Sequence, residues 1–352
     1  MSDSIFSSRL RLPARLSPPP LGALAFGVVA SLAMACGGPG GTDTGPSSGT
    51  DTGPSTEDAG RSALSGERYY YVVSVADIAR PESDTESVGF DVDGLQSDGD
   101  PATTADHECL GGDGREGLDF TSPDGDPGID HALAELLPAI DPFVDVMSTP
   151  EVETLEGALQ RTINFGYFLL IVEVVADSLD ADDAVTVNFY IGAPPADVLS
   201  PDLTADRLTP GQRLDFNTGL MGGTDPLATV VGTIEDGRLV AGPGEFRLSL
   251  ATDMPLSFRM LDTQIQADIT PTTLSGGVLG GKLVVDELIT SLRSSGVTQL
   301  VNVADLAESV LPNMADTGPA DGEGNCGSIT GAAIFEAVTI RPGVFRDPRA
   351  DL

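Results

Sequence analysis

The segment Val230-Val-Gly-Thr-Ile-Glu-Asp-Gly-Arg-Leu-Val240 constrains the fold of this chain more than any other. Apolar and polar residues alternate on both sides of Asp236-Gly237, and Asp-Gly is the dipeptide that forms the type I′ turn between antiparallel strands. Period-two alternation puts one face of each strand on a core and the other in solvent. The same pattern predicts strands over residues 69–75, 167–175, 184–191, 228–234, 246–250, 256–260 and 264–269, with a last strand over 329–340.

Four helical patterns interrupt the strands. Asp126-Pro127 fits an N-cap followed by proline at the first helical position. Ile129, Ala132, Leu133, Leu136, Leu137 and Ile140 then keep helical spacing, with Pro138 placed to kink or end the run. Thr149-Pro150-Glu151 repeats that start, with Val152, Leu155, Leu159 and Ile163 on one face. Residues 284–292 and 303–311 are amphipathic at the same period. Together the elements predict a mainly β fold, an antiparallel β-sandwich with helical insertions, with a single α+β domain as the alternative.

Ahead of this region stands an apolar run over residues 21–35, too short for the roughly 20 residues that span a bilayer core. Arg9, Arg11 and Arg15 precede it, and Ala33-Met-Ala35 closes it before Cys36. The arrangement is that of a lipoprotein signal peptide over 1–35, with Cys36 as the lipidated N-terminus; Ala33 stands where such peptides usually carry Leu. Ordinary secretory cleavage after Ala35 is the competing reading. Residues 36–66 hold two tandem copies of Gly-Thr-Asp-Thr-Gly-Pro-Ser, starting at Gly41 and Gly49, and have no hydrophobic periodicity. Such a segment is a flexible tether with an r.m.s. span of roughly 30 Å. Residues 67–352 then read as one acidic globular domain. Three cysteines occur, at 36, 109 and 326. Lipidation of Cys36 leaves an even pair, so Cys109 and Cys326 are expected to form a disulfide in an oxidising compartment.

Charge limits the partners. Asp and Glu number 54 against 18 Lys and Arg, a formal net charge of −36, and Lys282 is the only lysine. Such a chain repels nucleic acid and anionic headgroups. General surface chemistry explains most of the acids. One segment concentrates them: 12 acids and a single Arg lie between Asp91 and Asp130. Asp91, Asp93, Asp98, Asp100, Asp124, Asp126 and Asp130 alternate with glycine and turn residues, which is how a tight loop presents several hard oxygens to Ca²⁺. The spacing does not match an EF-hand, and Asp126 and Asp130 are also accounted for by the expected helix start. His107-Glu108-Cys109 lacks the spacing of a transition-metal site.

Catalytic motifs are missing from the sequence. There are two histidines and no P-loop, and the Gly-x-Ser-x-Gly pattern occurs only at Gly45-Pro-Ser-Ser-Gly49, in the aperiodic repeat rather than at a strand-to-helix elbow. Gly276-Gly-Val-Leu-Gly-Gly281 lacks the Lys-Ser/Thr ending of a nucleotide loop and reads as a glycine turn leading into the helix at 284. Carboxylate pairs for glycoside hydrolysis abound, but tryptophan is absent and aromatics are 5% of the chain, poor material for sugar platforms.

Ala35-Cys36-Gly-Gly, Gly89-Phe-Asp-Val-Asp-Gly94, Asp119-Phe-Thr-Ser-Pro-Asp-Gly-Asp-Pro-Gly-Ile-Asp130, Ser275-Gly-Gly-Val-Leu-Gly-Gly-Lys282 and the Cys326 loop with its terminal strand resemble uncharacterised lipoproteins of the myxobacterial type. That resemblance implies an outer-membrane lipid anchor and no established activity. The expected protein is a lipid-anchored, non-enzymatic surface protein that binds a protein or small-molecule partner or supports the envelope, with Ca²⁺ as a stabilising ion. The alternative is an exported hydrolase using acidic residues, which a deep pocket holding two carboxylates of raised pKa would favour.

Overall fold

The alternating segments form strands, and the sheet they build closes on itself. The computed structural model describes residues 66–83, 85–96, 109, 119–134, 160, 163–164, 166, 168–196, 208–250, 256–294, 298–320, 325–348 and 350. In chain order the elements are β1 (Glu67–Ile78), β2 (Phe120–Thr121), β3 (Pro127–Ile129), β4 (Leu170–Ala176), β5 (Asp182–Ala193), β6 (Gln212–Asn217), α1 (Thr218–Met221), β7 (Ala228–Glu235), β8 (Arg238–Leu250), β9 (Leu256–Ile269), β10 (Thr273–Val284), α2 (Val285–Ser294), α3 (Thr298–Met314), β11 (Thr317–Ala320) and β12 (Cys326–Arg346).

Eight of these strands run in the ring β1–β4–β5–β7–β8–β9–β10–β12 and back to β1, every neighbour antiparallel. The mainly β expectation holds, but the architecture is a closed barrel rather than a sandwich. A sandwich needs two sheets with free edges. Here β1 pairs with β4 through residues 67–72 and with β12 through residues 71–78, while β5 pairs with β7, so no edge is left in the ring. The Asp236-Gly237 turn forms as expected, with φ of 51° and 77° at its two central residues.

Two expectations about local structure are corrected. Pro127 does not start a helix: Ser122–Asp126 forms a turn, and Pro127–Ile129 pairs with Phe120–Thr121 as a small hairpin. Residues 132–134 are helical, and most of the second expected helix lies outside the described residues. The glycine run at 276–281 is not a turn but the middle of β10, paired on both sides. Its glycines make room for rings. A Cβ at Gly277 would lie 2.5 Å from the Phe335 ring inside the barrel, and one at Gly280 would lie 2.9 Å from the Phe90 ring outside it. The helices expected at 284–292 and 303–311 form as α2 and α3, which pack on each other and bury Val285, Ile289, Ala304, Ala307 and Leu311.

An outer layer covers one wall. β6 lies parallel to the last residues of β12, with Ile340 opposite Gln212 and Phe345 opposite Phe216. Phe216 and Phe345 stack at 4.5 Å and pack edge-on against Tyr190, at 5.0 and 6.0 Å. Beneath them Glu173, 1% exposed, points outward from β4. Its carboxylate accepts hydrogen bonds from Arg68 Nη1 (2.5 Å), Tyr70 (2.6 Å), Asn188 Nδ2 (2.8 Å) and Tyr190 (3.1 Å). Burial alone would push this carboxyl up, but the donors from Tyr70, Arg68 and Asn188 outweigh it and hold the group below its ordinary range.

Candidate functional site

The inward side chains do not fill the barrel from end to end. At the end where β1 begins, Tyr71, Ile234, Leu239, Ile269 and Leu274 are buried and form a floor. The turns there are tied together, Gly237 N–H donating to Asp180 O at 2.9 Å and Ile269 N–H to Gly237 O at 2.8 Å. Toward the opposite end a cavity of about 220 Å³ remains, partly open to solvent. Phe189, Phe246 and Phe335 enter it from β5, β8 and β12, and Leu133, Ile163 and Phe168 from the connection between β3 and β4 complete its wall. Every described residue lining it carries an apolar side chain or is glycine. Small-molecule pockets usually place a few polar groups among such walls. Among the described residues none does so here, so those that line the cavity supply neither a nucleophile nor an acid–base pair, only an apolar surface.

The second feature is an acidic corner outside β10 and β12. Phe90 pairs with Asp130, whose N–H donates to Phe90 O at 3.0 Å. This brings Asp91, Asp93 and Asp130 together, one oxygen from each lying within 4.8 Å of the others. Oxygens on opposite sides of a Ca²⁺ ion are about 5 Å apart, so the triad matches one face of such an ion. The Asp130 carboxylate accepts from the N–H of Val92 at 2.7 Å and of Asp93 at 3.3 Å. Burial, reinforced by the Asp93 charge, pushes its pKa up to about 8. Burial likewise raises Asp91. The other expected ligands divide: Asp124 and Asp126 belong to the β2–β3 turn and are exposed, away from the triad, while Asp98 and Asp100 lie outside the described residues.

Near this corner the disulfide forms as expected. Cys109 and Cys326 are bonded with a Cα–Cα distance of 4.9 Å and a sequence separation of 217. Cys36 and its leader lie outside the described residues. Comparison with family models, with curated proteins and with solved structures finds no match for this chain.

Sequence reasoning missed a further acid of raised pKa, half-buried. Asp316 precedes β11 and accepts from the Thr330 N–H at 2.8 Å and from its hydroxyl. Burial raises its pKa to about 7 despite those bonds. Asp130 and Asp316 thus supply two carboxyls of raised pKa, the signature that would favour a hydrolase. Neither lines the cavity. His131 is equally placed for structure: it is 1% exposed and its Nε2 is 2.6 Å from Ala79 O. The one readable sign of the cavity was the alternation that turns Phe189, Phe246 and Phe335 inward, but alternation does not say whether a core is full.

Proposed function

We propose that this chain is a lipid-anchored, exported, non-enzymatic binding protein whose barrel receives an apolar ligand. The observation that carries the reading is the cavity: ringed by strands, partly open, lined among the described residues by apolar groups, and not lined by Asp91, Asp130 or Asp316, the acids of raised pKa. An eight-stranded barrel has an interior just wide enough for side chains or for one small ligand. The anchor is proposed from Cys36, the apolar run before it and the repeat tether after it, in keeping with the resemblance to myxobacterial-type lipoproteins. Two acyl chains on a lipidated Cys would hold such a protein firmly, at about 0.8 kcal/mol per buried methylene. Gly37 in place of an acidic residue supports the outer membrane as the address.

The tether would join β1 at Glu67, the floor end of the barrel. The anchor then approaches the closed end, and the cavity end is free to face outward. A second component of the reading is a stabilising Ca²⁺ ion, supported by the convergence of Asp91, Asp93 and Asp130. Intact mass of the protein extracted from membranes tests the anchor. A mass beginning at Cys36 and increased by a diacylglyceryl group is expected; an unmodified chain in the soluble fraction would sink it.

A further inference from the structure

We infer that the ligand is a hydrocarbon tail whose headgroup is uncharged and stays outside. This rests on the binding reading above and gives it a chemical class. The lining has no described polar side chain, so a hydroxyl, amide or carboxylate carried inside would lose its water and gain no partner. Only hydrocarbon enters without that cost. The length follows from the volume: 220 Å³ accommodates about seven heavy atoms at roughly 30 Å³ each, a water's share of liquid volume.

Charge selects the headgroup. Against a net charge of −36, a carboxylate, sulfate or phosphate at the rim is repelled, while an alcohol is indifferent. Lys282 does not offset this, because its Nζ is already 3.1 Å from Asp262 Oδ2.

The experiment is calorimetric titration of the full chain carrying Cys36→Ser, purified without detergent, with straight 1-alkanols from butanol to decanol. Affinity is expected to rise about fourfold per methylene. It should then flatten near heptanol or octanol, where the cavity is full. Octyl sulfate is expected to bind more weakly than octanol, with the gap narrowing as salt is added. Ala76→Phe, which puts a ring into the cavity, should abolish the rise while circular dichroism and cooperative unfolding persist. If that variant fails to fold, the plateau in the unmutated series still decides. Absence of binding across the series, a rise that never flattens, or octyl sulfate binding as tightly as octanol would overturn the inference. Membrane fractionation of the unsubstituted protein separates the two readings. A chain found in membranes that binds no alkanol loses this inference and keeps the anchor; a soluble chain that binds alkanols loses the anchor and keeps this inference.

Discussion

The ring of Phe335 lies directly across Gly277, its cross-strand partner, so closely that a Cβ at 277 would sit 2.5 Å from the ring. The contact is inside the barrel, where Phe335 also lines the cavity. Gly277→Ala is therefore an overpacking change in a closed space, expected to cost about 1–3 kcal/mol. A ring pushed off Gly277 moves toward the cavity, so the same variant should bind octanol more weakly. Urea unfolding and the titration check the two effects; an unchanged midpoint would show that the ring yields freely.

Glu173 gathers four donors under an aromatic cover. Glu173→Gln keeps the shape but replaces one acceptor oxygen with a donor and removes the charge that Arg68 faces. Bonds to a charged acceptor are worth more than neutral ones, so the variant should lose about 2–3 kcal/mol. Because the carboxyl is held below its ordinary range, its contribution is present above about pH 4.5 and is lost as pH falls further. Denaturant melts at pH 7 and pH 3 check this: the gap between wild type and variant should be wide at the first and narrow at the second.

Asp316 pulls the other way. Burial lifts its pKa from 3.8 to about 7, so between those values the folded chain holds a proton that the unfolded chain has released. Stability from this group is full below about pH 4 and declines as pH rises to about 7 or 8. Asp316→Asn keeps an acceptor for Thr330 and cannot ionise. The variant should match the wild type near pH 3.5 and exceed it at pH 8, by several degrees in Tm. A wild type no less stable than the variant at pH 8 would refute the assignment.

The acidic corner makes a prediction of its own. A divalent cation seated on Asp91, Asp93 and Asp130 should raise Tm in millimolar Ca²⁺ relative to EDTA, since binding only the folded state stabilises it. Asp93→Asn should remove most of that rise, whereas Asp124→Asn, in the exposed turn, should leave it intact. Equal melting of the wild type with and without Ca²⁺ would end the proposal.

The strands were legible because alternation is a local property. Val185, Val187 and Phe189 turn inward, and Thr186 and Asn188 outward, whichever sheet they belong to. Closure was not legible. It depends on Tyr71 meeting both Val172 and Thr339, and nothing near Tyr71 in sequence states that it has two partners. β10 was hidden because Gly276, Gly277, Gly280 and Gly281 mimic a loop, and their purpose shows only when Phe90 and Phe335 arrive from distant segments. Asp126-Pro127 carried a true capping signature, but a hairpin held by the Ser122–Asp126 hydrogen bonds claimed those residues instead. At the acidic corner, seven candidates could not be narrowed by spacing. The Phe90–Asp130 pairing, made between two distant residues, selects three.

The pairing of β1 with β12 sets the order in which this molecule can be made. The first strand of the barrel finds one of its two neighbours only in the last strand, so the wall stays open until β12 has been synthesised. Contacts of such sequence separation form slowly. A chain cut short before Cys326 would leave β1 and β10 each with an unpaired edge, two sticky flanks on one incomplete wall. β12 thus decides closure: chains that reach it complete the ring, and chains that stop short of it expose two edges open to aggregation.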